Sequence, residues 1–290
     1  MSWAPAAVCL SILAGTAAAQ TTTNVYPWLT ATNKTGTVAA RFAPPSGFER
    51  IPVDAGSFAD WLRHLPLKEE GAPVLLHNGT RKQNQDAHVA VIRIDTGDRD
   101  LQQCADAIIR LRAEHLYSRR LFAAIRFNFT SGDPAPFLKW AEGYRPVTAG
   151  RTVRWEKTAP QDSSYSSFRK YLDAVFLYAG TLSLSRELEA RTGLDAMQIG
   201  DVFIRGGSPG HAVIVVDMAE SKPAKKKVFL LAQSYMPAQE IHVLKNPNAP
   251  ALSPWYDPDL GETLHTPEWD FQKTELKGFR VQQSGWDNAP

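Results

Sequence analysis

The sequence predicts an α+β fold, on three observations. Apolar, β-branched stretches gather late in the chain, at "DVFIRGGSPGHAVIVVD", "KVFLLAQSY" and "EIHVLK". Helical patterns precede them instead of alternating with them one for one. No internal repeat, low-complexity run or clear inter-domain linker divides the 290 residues.

In chain order, "MSWAPAAVCLSILAGTAAAQ" has an apolar run from Ala4 to Ala14 and small residues at Ala17 and Ala19. That pattern predicts a secretory signal peptide over 1–19. The apolar run is shorter than the roughly 20 residues a membrane span needs. Residues 20–53, rich in Thr, Ala and Pro, are expected to form an extended N-terminal arm, with a single α+β domain over 54–290. "SFADWLRHL" carries an N-cap Ser57 and helical apolar spacing. "AHVAVIRID" reads as a strand over Ala87–Asp95. A helix follows, capped by Asp98 or Asp100 and running to about Tyr117 or Arg119. "LFAAIRFNF", Leu121–Phe129, reads as a strand, and "TSGDPAP" breaks it. Residues 140–160 are mixed and turn-rich. From Ser163 to Gly193 the pattern is a helix pair with a kink at Ala179-Gly180. The late strands come next, with "KPAKKK" (Lys222–Lys227) as a solvated hairpin loop. The tail is expected to be loops built around "SPWYDP" and "TPEWDF".

Composition narrows the function classes. A formal charge of +2 gives no field for nucleic acid, and 43% apolar residues can build a sizeable core. No stretch after the signal is long and apolar enough to cross a membrane, so the mature chain is expected to be periplasmic or secreted. Two cysteines are present, and Cys9 leaves with the signal, so Cys104 has no intramolecular partner. His64, His77, His88, His242 and His265 lack metal-ligand spacing, and neither a metal nor a cofactor is expected.

Cys104 falls on the apolar stripe Leu101, Cys104, Ile108, Leu111 and His115, near the start of its helix. That place suits a core thiol, and equally a thiol whose anion is stabilised by a helix N-terminus. Asp106 and Arg110, four apart, are expected to pair on the solvated side. After the turn Gly206-Gly207-Ser208-Pro209-Gly210, His211 opens a strand apolar on both faces, sharing one face with Val213, Val215 and Asp217. Gln233 on the next strand can orient its ring. A thiol, a base and an orienting polar group are the parts of thiol catalysis. Gln239, Ser234 and Tyr235 in "QSYMPAQ" line a polar groove or cap the strand. Trp255, Tyr256 and Trp269 stack on a sugar or pin loops to the core.

"MQIGDVFIRGGSPGHAVIVVD…KKVFLLAQS" resembles the Gly-Asp-strand, Gly-His-strand, polar-strand core of the papain-like NlpC/P60 and CHAP hydrolases. The resemblance implies a papain-like antiparallel sheet with packed helices and an elaborated N-terminal half. It also implies cleavage of amide bonds in cell-wall peptides by a cysteine peptidase or amidase. His211 would be the base and Gln233 the third group. Those families place the cysteine on the helix just before the Gly-Asp turn, where this chain has Thr181 and Ser183 and no cysteine. Three readings follow. Cys104 supplies the thiol from another helix, with its helix N-terminus and Gln103 at the oxyanion. Thr181 or Ser183 is a weaker nucleophile. Or the domain is non-catalytic and binds a cell-wall peptide or glycan, with Gln103, Ser208 and Gln239 as contacts. A further class is a secreted structural partner holding another protein's tail. Over most of the chain, "QQCADAIIRLRAEHLY", "IRFNFTSG", "YLDAVFLYAGTLSL", "GDVFIRGGSPGHAVIVVDMA", "LLAQSYMPAQEIHVLKN" and "TPEWDF" resemble an exported bacterial family catalogued as domain of unknown function 4846, which implies no activity.

Overall fold

The computed structural model describes Met1 and residues 25–29, 36–150, 152–222, 224–259 and 261–280. The expected signal peptide, Met1 apart, lies outside them.

Thr37 caps a one-turn helix α1 (Val38–Arg41), its hydroxyl accepting the N–H of Ala40 at 3.3 Å. Strand β1 (Phe48–Arg50) follows. Ser57 caps α2 (Phe58–Arg63) as its sequence predicts. Then come β2 (His88–Val91) and α3 (Cys104–Ser118). Strands β3 (Arg126–Asn128) and β4 (Pro134–Pro136) form a small hairpin. Helix α4 (Phe137–Ala141) leads to a second hairpin, β5 (Tyr144–Ala149) and β6 (Thr152–Lys157). The helix pair is α5 (Tyr165–Tyr178) and α6 (Thr181–Glu187), broken where the kink is expected. The remaining strands are β7 (Glu189–Ala190), β8 (Val202–Arg205), β9 (His211–Ser221), β10 (Lys227–Gln233), β11 (His242–Leu244), β12 (Thr263–His265), β13 (Asp270–Gln272) and β14 (Leu276–Gly278).

Eight strands form one sheet in the order β2-β11-β10-β9-β8-β14-β7, with β1 also paired to β9. All its pairings are antiparallel. The chain is thus a mixed α/β protein with one large antiparallel sheet and few helices. Helix α3 packs across β9 and β10. One core lies on that side, joining Ile108, Ile109 and Leu111 to Ala212, Ile214 and Val216. A second lies on the opposite face, where Val213, Val215, Phe203, Phe229 and Phe271 meet.

Four expectations need correction. Residues 36–53 are not a bare arm: Val38 is fully buried and β1 extends the sheet. Residues 121–129 are a 3-10 turn (Phe122–Ala124) and a three-residue strand. The chain curls so that Phe122 packs on Tyr117 at 5.2 Å and on Phe137 at 5.5 Å. Residues 144–157 form a hairpin, and the tail adds β12, β13 and β14. Asp106 and Arg110 are both buried and do not pair. Arg110 instead binds Glu114 at 2.6 Å and Asp95 at 3.1 Å, because α3 is covered on nearly every side.

A bulge on β9 also changes the alternation. Leu230 faces Asp217 but Leu231 faces Val215. The extra residue puts Met218, not Asp217, with the second core. Asp217 is left to Arg50 (2.8 Å) and Arg63 (2.6 Å).

Candidate functional site

Cys104 is the first residue of α3, and three contacts fix the chain just before it. The Ser234 hydroxyl donates to the Gln102 carbonyl at 3.2 Å. The N–H of Ala238 donates to Asp100 Oδ1 at 2.7 Å. Arg110 Nη1 donates to Gln102 Oε1 at 2.9 Å. The loop entering α3 is thereby stapled to the turn leaving β10. The N–H of Gln103 donates to Asp106 Oδ2 at 3.1 Å, closing the first helical turn. The sulfur then lies against the backbone N–H groups of Ala105, of Cys104 itself and of Ala212, the second residue of β9. Burial pushes the thiol up to about 11, Asp106 adds to the rise, and these N–H groups oppose it. Burial likewise pushes the Asp106 carboxyl up to about 8.

His211 enters from the glycine turn. Thr181 Oγ1 donates to the Gly207 carbonyl at 3.1 Å and accepts from the Gly207 N–H at 3.3 Å. A Cβ on Gly210 would lie 2.5 Å from both Gly207 O and Thr181 Oγ1, and 2.8 Å from Arg205 O. Only glycine fits directly before the histidine. The imidazole is 1% exposed, among the rings of Tyr235 (4.6 Å), Trp269 (5.5 Å) and Phe271 (5.8 Å). Burial pushes it down to about 4. The Gln233 hydrogen bond opposes that, and the Lys82 charge reinforces it. At neutral pH the resting pair is a thiol and an uncharged imidazole.

Nε2 of His211 and Oε1 of Gln233 are 2.8 Å apart. The amide nitrogen of Gln233 faces Glu268 Oε2 at 2.7 Å and His242 Nε2 at 3.3 Å. Glu268 comes from the tight turn between β12 and β13. There the Thr266 hydroxyl bonds both the carbonyl and the N–H of Trp269 (2.6 and 3.1 Å). Glu268 is also paired with buried Lys82, and Asn84 Nδ2 donates to its Oε1 at 3.1 Å. The Tyr235 phenol lies in electrostatic reach of both Glu268 and Cys104.

The structure thus brings Cys104, His211 and Gln233 to one end of the sheet. The other candidates sit differently. Thr181 holds the glycine turn, and the Ser183 hydroxyl bonds the N–H and carbonyl of Gly180 at the start of α6. The Gln103 side chain donates to Asp100 at 3.1 Å. Ser208 is exposed on the turn. Gln239 is buried in the bend after β10, its amide donating to the Pro237 carbonyl at 3.3 Å. Lys82, His242 and Glu268 were not legible as site residues. They come from three separate segments: the sequence shows His242 only as a strand histidine without metal-ligand spacing, "TPEWDF" only for its tryptophan, and gives no signal at Lys82. Among the described residues no group of three or more His, Cys, Asp or Glu is placed to hold a metal ion. No helix there is long and apolar enough to cross a membrane.

No curated protein and no solved structure matches the chain. One family model does, over residues 38–278, a range that takes in α1, the whole sheet, the glycine turn and every residue of the Cys104, His211, Gln233 and Glu268 cluster. By that match the chain belongs to the family described as Domain of unknown function (4846).

Proposed function

We propose that this protein is an exported thiol hydrolase of amide bonds, acting on cell-wall peptide, with a papain-like arrangement of its site. The observation that carries the reading is the meeting of α3 with β9. The Cys104 sulfur lies against the N–H of Ala212, and the adjacent His211 is hydrogen-bonded to Gln233 at 2.8 Å. Thiol on a helix N-terminus, base on one strand and amide on the next follow in the order the resemblance implies. The segment from β3 to α6 is inserted between thiol and base, which accounts for their distance in sequence. The N-terminal pattern with Ala17 and Ala19 supports export to the periplasm or beyond.

In this mechanism the Cys104 S–H passes its proton to Nδ1 of His211 as sulfur attacks the amide carbon. The oxyanion takes hydrogen bonds from backbone N–H groups at the start of α3. The imidazolium then protonates the departing amine. Water, deprotonated by the same ring, releases the carboxylate and restores the thiol. Because both groups rest uncharged, proton transfer accompanies attack instead of preceding it.

A second reading, a non-catalytic domain that binds a cell-wall peptide or glycan, draws on the same burial: a thiol held near 11, with the imidazole of His211 held near 4, is a poor standing nucleophile. Purified peptidoglycan incubated with wild type, Cys104→Ser and His211→Ala separates the two. The hydrolase releases new amino groups that both variants fail to release. Intact peptidoglycan that still sediments the wild-type protein sinks the hydrolase reading and favours the binding one.

A further inference from the structure

Glu268 stands outside the thiol, base and amide set, yet it helps decide which way the Gln233 amide points. A carboxylate accepts hydrogen bonds and does not donate, so the Gln233 atom 2.7 Å from Glu268 Oε2 is the NH2 group. His242 makes the same demand. Its Nδ1 lies 2.9 Å from the Glu240 carbonyl and must carry the proton there, leaving Nε2 as an acceptor. That acceptor faces the same Gln233 nitrogen at 3.3 Å. With both amide hydrogens taken, only the amide oxygen remains for His211. An amide oxygen cannot donate, so His211 Nε2 carries the ring proton and Nδ1 is the bare nitrogen. Reversing the amide would set oxygen against oxygen at Glu268 and require the other imidazole tautomer.

We infer that Glu268 is a positioning residue: it keys the Gln233 amide, and through it the His211 tautomer that leaves Nδ1 free to take the Cys104 proton. The last clause rests on the hydrolase reading, and the tautomer claim does not. Lys82 and Asn84, bound to the two carboxylate oxygens, hold the key in place.

Histidine-labelled protein tests this by long-range proton–nitrogen correlation spectra, which distinguish Nε2–H from Nδ1–H imidazole. His211 is assigned by its loss in His211→Gln. Wild type is expected to show His211 as Nε2–H alone. Glu268→Gln keeps that state, because its amide oxygen still accepts from Gln233. Glu268→Ala leaves the amide to the longer His242 contact alone, at 3.3 Å, and a share of the Nδ1–H form is expected to appear beside the Nε2–H form. If Glu268→Ala unfolds with Lys82 unpaired, the Lys82→Ala/Glu268→Ala double variant removes both charges and decides the point. An Nδ1–H His211 in wild type, or a His211 indifferent to loss of the carboxylate, overturns the inference. Peptidoglycan digestion is scored separately. A tautomer that responds while peptidoglycan stays intact supports the positioning role and sinks the hydrolase. Digestion with an indifferent tautomer does the reverse.

Discussion

Asp106 shows how one residue ties stability to the site. It sits on the first turn of the helix that begins with Cys104. Its Oδ2 accepts the Gln103 N–H, and its Oδ1 is buried with no hydrogen-bond partner. Burial holds its pKa up at about 8, against about 3.9 for an ordinary Asp. Between those values the folded chain keeps a proton that the unfolded chain has released. Stability from this residue is therefore present below about pH 4 and is lost as pH rises to about 8. Asp106→Asn keeps an acceptor for Gln103 and cannot ionise. It is expected to match wild type near pH 4 and to exceed it by about 3–5 kcal/mol near pH 8. Urea unfolding at the two pH values checks this, and a constant gap would refute it. The sequence shows Asp106 only as half of an expected surface pair with Arg110. Spacing along one helix says nothing about what covers its outer side.

At the scale of elements, the glycine turn between β8 and β9 is a fitted joint. Two of the three atoms that would meet a Cβ on Gly210 are backbone carbonyls, which cannot swing aside as a side chain can. Gly210→Ala is expected to cost about 1–3 kcal/mol, read as a lowered Tm. Thr181→Ala in the same chain removes only the third contact and should restore little of it. Full recovery in the double variant would show that the hydroxyl alone makes the joint tight. The turn, the histidine strand and Gln233 were all legible, because glycine, apolar alternation and a polar strand end are local signals. The β5–β6 and β12–β13 hairpins were not. "TVRWEK" alternates, but its charges mask the period, and "TPEWDF" reads as a loop because its turn is fixed by Thr266 side-chain hydrogen bonds.

Across the whole molecule, Asp217 joins three separate pieces. It lies on β9, fully buried, and binds Arg50 on β1 and Arg63 on α2. Arg50 also donates to the Ala39 and Phe42 carbonyls at 2.8 and 2.6 Å, so the N-terminal helix hangs on the same carboxylate. Asp217→Asn leaves two guanidinium groups without their counter-charge and is expected to destabilise by about 3–5 kcal/mol. Loss of less than about 1 kcal/mol in urea unfolding would mean that solvent satisfies both arginines. The fold class was legible from the late strands. The place of Cys104 was not, since it depends on Ser234 and Ala238, remote in sequence, pinning the loop before α3, and on Arg110 turning inward to Gln102 when its spacing suggests a solvated pair.

The β12–β13 turn lies close to the end of the described chain, yet it supplies Trp269 to the wall around His211 and Glu268 to Gln233. During synthesis from the N-terminus, Cys104, His211 and Gln233 all emerge before that turn does. A chain stopped at Gly261 would hold the whole histidine strand and no carboxylate to orient the Gln233 amide. Competence of this end of the sheet therefore waits for the β12–β13 hairpin, and a growing chain stays unfinished there until that turn has emerged.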